Sequence, residues 1–248
     1  MFRKTIKFIA SEKYINFTKL KPEPSTLNIP QWYKDLTHTV EKGTVKGCMP
    51  FLDTLTAGYV LKMPLDYHLQ HNVKREGQRS TFGTTSVPRD INNELTKDLN
   101  LNRESANIHP IEQLSKGCPY VQKNKDLNFH KILNPWIIKT PPGYSCLFLP
   151  PMNNQDDRFS VIPGIVDTDC HPTEINFPIV VNGDKYPALD TIIKIGTPYV
   201  QIIPFKREKW KMKIESENKQ KKDETALSFG SKVINTYKTK WWNKKSWK

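Results

Sequence analysis

Between Asn134 and Phe205 the chain is written in short apolar runs that Gly and Pro interrupt every few residues. NPWIIK ends at TPPG, YSCLFL at PP, and RFSVI at PG; EINFPIVVN and DTIIKIGTPYVQIIPF complete the series. Proline removes a backbone donor and breaks helix interiors, so long helices are excluded here. Short β-branched and aromatic runs bounded by Gly/Pro turns read as strands, and several in series predict an all-β sandwich or barrel-like core. The expected strands lie on either side of the PPG turn, over RFSVIPGIVDTDC, over EINFPIVVN, and on either side of the Gly-Thr-Pro turn. Gly58, Gly143, Gly164 and Gly196 are expected at turns or close approaches, and Pro178 and Pro198 at strand starts or edges.

The rest of the chain is organised around this core. Residues 1–50 read as an N-terminal arm. Ile6, Phe8 and then Ile15, Phe17 alternate as in strands, and IPQWYKDL begins a short helix after Pro30 that buries Trp32 and Leu36. Residues 51–205 read as the β domain, with VLKMPLDYHL as a further strand. A polar insertion, about 71–126, carries at most a short helix or two, at NELTKDLNLN and ESANIHPIEQL. Residues 206–248 form a basic tail with fourteen Lys and Arg against five Asp and Glu, so they hold +9 of the chain's net +13. Such a field favours anionic partners without choosing among them. TYKTKWWNKKSWK interleaves Trp241, Trp242 and Trp247 with Lys244 and Lys245. That pattern suits docking onto a neighbouring subunit, stacking on single-stranded nucleic acid, or a solvated tail.

No apolar run reaches the ~20 residues of a membrane span, and the first residues lack the apolar core of a signal peptide. The expected location is therefore the interior of the cell that makes the protein. Cys48, Cys118, Cys146 and Cys170 are too scattered for a zinc site, and four reduced thiols are expected. Asp167, Asp169 and His171 offer metal-ligand chemistry, but the neighbouring Pro172 favours a turn whose Asp side chains bond backbone N–H groups. No metal and no cofactor are expected. His68 and His71, three apart, would share a face of a helix.

Four segments in order resemble the dUTPase and dCTP-deaminase (β-clip) superfamily: TAGYVL, PPGYSCLFLPP, GIVDTDCHPTE and IGTPYVQII. The resemblance implies a dUTPase-like β-clip core, a mainly β fold, and self-association as a homotrimer. It assigns Asp167 to the position of the water-orienting Asp and, for an altered site, Tyr59 and Gln201 as ligand-binding residues. The other expected groups are replaced: Val60 stands for the first-motif Asp, Cys170 for the aromatic ring, and Pro198 for an Arg. Met152 and Asn153 fall near the place of the Arg-Ser pair. A triphosphate without cationic clamps loses most of its transition-state stabilisation. The whole chain is also similar to an uncharacterised family of tailed phages and some bacteria, through IPQWYKDL, KGCMPFLDTLTAGY, NPWIIKTPPGYSCLF, GIVDTD, INFP, GTPYVQIIPFKREKWK and the Trp/Lys tail.

These readings predict a non-catalytic phage-type structural or assembly protein whose partners are other subunits or phage structural proteins. It would be made in the host cytoplasm, with the virion as a destination. The alternatives are a nucleotide-binding or nucleotide-hydrolysing enzyme with an altered site, and a nucleic-acid-binding accessory protein acting through the tail.

Overall fold

The computed structural model describes residues 4–18, 20–39, 41–73, 84–88, 108–109, 114, 117–217, 219–230 and 236–248. In chain order the main elements are β1 (Lys7–Ile9), α1 (Glu12–Phe17), β2 (Glu23–Pro24), α2 (Gln31–Asp35), α3 (Met49–Thr56), β3 (Tyr59–Lys62), β4 (Tyr67–His71), β5 (Thr84–Pro88), β6 (Ile108–His109) and α4 (Pro119–Lys123). There follow β7 (Phe129–Ile132), β8 (Ile137–Lys139), β9 (Tyr144–Leu149), β10 (Phe159–Val161), β11 (Gly164–Val166), β12 (Phe177–Val181), β13 (Leu189–Ile193), β14 (Pro198–Lys206), α5 (Lys219–Gly230) and α6 (Thr236–Lys240). The architecture is mainly β, in antiparallel sheets ordered β11-β9-β14-β3-β2, β10-β12-β7-β6, β13-β4-β5 and β1-β8.

The strands expected between 134 and 205 are present, but their partners are not their chain neighbours. β8 and β9 flank the PPG turn, yet β8 pairs with β1 and β9 with β14 and β11. RFSVIPGIV is two strands in two sheets, divided at Pro163, where no N–H exists to continue a ladder. VLKMPLDYHL is likewise two strands. The chain bends between Met63 and Asp66 at Pro64, and its partner bends at Gly196, whose φ is +85°. Met63 and the Gly196 turn exchange hydrogen bonds across the corner, Met63 N–H to Thr197 O at 2.9 Å and Gly196 N–H to Met63 O at 2.8 Å. One long ribbon thus folds over itself and belongs to two sheets, β14 with β3 on one side and β13 with β4 on the other. Gly58 has φ +68°, and a Cβ there would fall 1.9 Å from Ile202 O. Gly164 is different: it lies within β11, opposite Phe148, and needs no positive φ.

The main core is shared by several sheets and contains Leu61, Met63, Leu69, Ile138, Phe148, Phe177 and Ile202. Tyr14 of the N-terminal segment is 1% exposed inside it and meets Trp136 edge-on at 5.4 Å. Tyr14 sits on a helix rather than the expected strand, because Ser11 caps α1 by accepting Tyr14 N–H at 3.0 Å. The helix after Pro30 forms, but Tyr33 faces inward and stacks on Phe51 at 5.9 Å, while Trp32 is 47% exposed. Neighbouring helical residues point ~100° apart, so this single turn can bury only one of the pair. Within 71–126, β5 pairs with β4, β6 pairs with β7, and Val121 of α4 joins a small cluster with Phe129 and Val180. The insertion therefore supplies strands as well as a helix; NELTKDLNLN and most of ESANIHPIEQL fall outside the described residues. Cys48, Cys118, Cys146 and Cys170 are free thiols, with Cys146 buried. No helix among the described residues is long and apolar enough to cross a membrane.

Candidate functional site

Two places on the largest sheet collect the residues of interest. The first is at its β11 end. β14 pairs with β9 as far as Lys206 opposite Tyr144, and Arg207 N–H then donates to Gly143 O at 2.9 Å. On the other side of β9 the chain leaves β11 at Asp167 into a tight turn, where the amides of Cys170 and His171 donate to Asp167 O at 3.1 and 2.9 Å. This geometry gathers Ser145, Asp167, Asp169 and Arg207. Ser145 Oγ donates to Asp167 Oδ1 at 2.6 Å, and Arg207 Nη1 lies 3.2 Å from the same oxygen. Arg207 also grips Asp169 with both Nη atoms, the Nη1 bond measuring 2.9 Å, while Gly143 N–H donates to Asp169 Oδ2 at 2.8 Å. The hydrogen bonds from Arg207, then that from Gly143, hold the Asp169 carboxyl far below the usual carboxylate range. The bonds to Asp169 in turn raise the guanidinium pKa. A two-pronged arginine–carboxylate bond of this kind fixes geometry as well as charge. It ties the root of the C-terminal segment to the β9 and β11 loops.

The same arrangement separates Asp169 from the metal-ligand reading. Asp169 faces Arg207, and the His171 ring, with its proton placed on Nδ1, donates to Thr173 O at 2.9 Å. Among the described residues no group of three His, Cys, Asp or Glu side chains comes together as a metal would require. His68 and His71 are on strand β4, where an odd spacing puts them on opposite faces. His68 reaches Asp190 on β13, and His71 is buried.

The second place is at the β3 end. Tyr59 forms an edge contact with Phe8 at 5.6 Å and lines a cavity of about 350 Å³ with Lys4, Thr140, Tyr144, Trp247 and Lys248. Burial raises the pKa of the Tyr59 phenol. The C-terminal segment forms one wall of this cavity, through Ser246, Trp247 and Lys248. Trp242 Nε1–H donates to Asp53 Oδ2 of α3 at 3.0 Å, and the Lys245 ammonium joins the same oxygen. The Trp247 ring meets Tyr59 edge-on at 6.3 Å, and Tyr59 Oη–H donates to Lys248 O at 3.3 Å. Of the expected docking residues, Trp242, Lys245 and Trp247 thus meet their own chain. Trp241 is 42% exposed and Lys244 is exposed beside it.

The sequence-derived ligand set is not brought together. Tyr59 is on β3 and Asp167 just past β11, with β14 and β9 between them; three strand spacings amount to ~14 Å. Gln201 is 2% exposed, and both ends of its amide are used: Oε1 accepts Met152 N–H at 2.9 Å, and Nε2 donates to Thr54 O at 3.0 Å and Ala57 O at 2.7 Å. It fastens the last turn of α3 to the loop after β9. Sequence reasoning missed Asp53 and Arg207. Neither stands out locally, since Asp53 is inside a mixed apolar stretch and Arg207 opens a basic run.

Between the two places the chain runs through residues 207–217 without helix or strand. Here Trp210, Met212 and Ile214 are 87%, 85% and 87% exposed, alternating with Lys209, Lys211 and Lys213. The period-two pattern is legible in KWKMKIE. No protein-family model matches the chain, and no curated protein matches it.

Proposed function

We propose that this chain is a non-catalytic, phage-type structural or assembly protein. Its β core, a degenerate dUTPase-like β-clip on this reading, is a scaffold, and its C-terminal segment is the docking element. The observation that carries the proposal is the row Trp210, Met212, Ile214, each at least 85% exposed on a segment anchored at Arg207. Soluble chains rarely present contiguous large apolar side chains except at interaction sites. Supporting it, Asp167 Oδ1 is engaged by Ser145 and Arg207, and Gln201 is consumed in the fold. Self-association, as in the homotrimers of the resembled superfamily, belongs to the same reading, as does a virion destination.

A thermal-shift screen against deoxynucleoside triphosphates with magnesium, beside Asp167→Asn, tests it. A ligand at a hundredfold its dissociation constant adds ~2.7 kcal/mol of stability. No nucleotide-specific shift is expected. A shift that Asp167→Asn abolishes refutes the scaffold reading.

A second reading is favoured by one feature. The cavity beside Tyr59 is lined by Lys4 and Lys248 together with Tyr59, Tyr144 and Trp247, and Lys4 Nζ lies 5.8 Å from the centroid of the Tyr144 ring. That chemistry suits a planar anion such as a nucleotide. A nucleotide shift lost in Tyr59→Ala but kept in Asp167→Asn would select it.

A further inference from the structure

The arm 208–216 is its own best partner, and we propose that two copies of the chain pair through it, antiparallel, about a two-fold axis at Met212. The proposal rests on the assembly reading and names its partner as a second copy. β14 loses its neighbour β9 at Arg207, so the residues that follow have left the sheet. In an extended conformation their side chains would alternate as a strand's do, Trp210, Met212 and Ile214 on one face and Lys209, Lys211, Lys213 and Glu215 on the other.

Only one antiparallel register pairs all three apolar side chains with one another. With Met212 opposite Met212 of the second copy, Trp210 stands opposite Ile214 and Lys209 opposite Glu215, each twice by symmetry. A shift of one residue places every apolar side chain against the charged face. Moving the axis to Lys213 puts Trp210 opposite Ser216, and moving it to Lys211 puts Glu208 opposite Ile214. The chosen register has one unfavourable feature, Lys211 opposite Lys213. Such a contact is isologous, so it joins copies in pairs whatever the state of the core. Its area falls below the ~1,200 Å² of standard interfaces, so the association is concentration-dependent.

The like-charge pair supplies the test. Lys209→Glu and Lys211→Glu change the net charge equally, and both are exposed, so the fold is untouched. Sedimentation equilibrium of the full chain is expected to show Lys209→Glu weakening dimerisation about tenfold, and the double variant Lys209→Glu/Glu215→Lys restoring it. Lys211→Glu is expected to tighten it by a similar factor. Two variants that shift the equilibrium in the same direction overturn the pairing, because that is what bulk charge alone would do. The register is read separately by oxidative cross-linking in a Cys48→Ser/Cys170→Ser background. Met212→Cys is expected to form a disulfide dimer, since directly opposed residues are ~5 Å apart. Trp210→Cys is not, because the two copies of residue 210 are displaced by four residues, ~14 Å. Equal cross-linking of both, or a monomer at every concentration, overturns the proposal. A monomeric chain that also ignores nucleotides leaves the assembly reading standing and removes only this partner. Binding of oligodeoxythymidylate that Lys209→Glu and Lys211→Glu weaken alike, with no dimer, assigns the arm to nucleic acid instead.

Discussion

Replacing Gln201 by leucine, a residue of similar volume, removes the amide but keeps the bulk. Three backbone groups are affected. Met152 N–H loses its acceptor, and Thr54 O loses the donor at 3.0 Å. Ala57 O keeps a bond from Ser25 Oγ at 2.7 Å, so its loss is smaller. Leaving a buried polar group unsatisfied costs ~1–3 kcal/mol. Two full losses, partly relieved by water reaching the half-exposed loop at Met152, amount to about 3 kcal/mol. At the ~2–4 °C per kcal/mol typical of a chain this size, Tm should fall by about 9 °C. Differential scanning fluorimetry gives the shift, and hydrogen exchange locates it, with protection lost first in α3 and the loop after β9. An unchanged Tm would show that Gln201 does not fasten α3, and would return it to the ligand-binding role its position in IGTPYVQII implies.

Gly58→Ala combines a positive φ with a Cβ 1.9 Å from the Ile202 carbonyl, so we expect a loss of more than ~2 kcal/mol or insoluble protein; wild-type Tm would contradict the geometry. Burial holds His71 and His130 at pKa values of about 4. Unfolded imidazoles take up protons near ~6.5, so the unfolded state binds more protons between ~6.5 and ~4. Stability is therefore full above that window and falls through it, by up to ~1.4 kcal/mol per pH unit per histidine, and a flat urea midpoint from pH 7 to 4.5 would contradict this. Arg207→Ala releases the root of the arm, and faster tryptic cleavage at Lys209 and Lys211 should follow with little change in Tm. Asp53→Ala should remove exchange protection from residues 241–248 and leave the sheets unaffected.

The strands of the core were legible in the sequence because Gly and Pro punctuate them, and the turn at Gly196 was placed correctly for the same reason. Partnership was not legible. Nothing local tells that β9 leaves β8 for β14, since the pairing of distant strands is decided by which apolar faces complete one core. Pro64 showed only in the structure as a corner, because its effect depends on a partner strand bending at the same place. The candidate site divided in the same manner. The segment GIVDTDCHPTE singles out Asp167, but its engagement depends on Arg207, forty residues later and past the end of IGTPYVQII. Gln201 was identifiable too, yet a buried glutamine and an exposed one are spelled alike.

The wall that Trp247 and Lys248 lend the Tyr59 cavity, on a segment seated by Trp242 and Lys245 at Asp53, has a kinetic consequence. Because the tail is covalently attached and its root is held at Arg207, its return to Asp53 and Tyr59 is a first-order event. It is governed by an effective concentration set by the length and stiffness of the chain between the root and the seated residues. A ligand of the cavity requires the tail to be seated, because Trp247 and Lys248 are part of its wall. Its apparent affinity is scaled by the fraction of time the tail is seated, which is the binding-competent state. Cutting the tether without removing the tail peptide would weaken binding there by dilution alone.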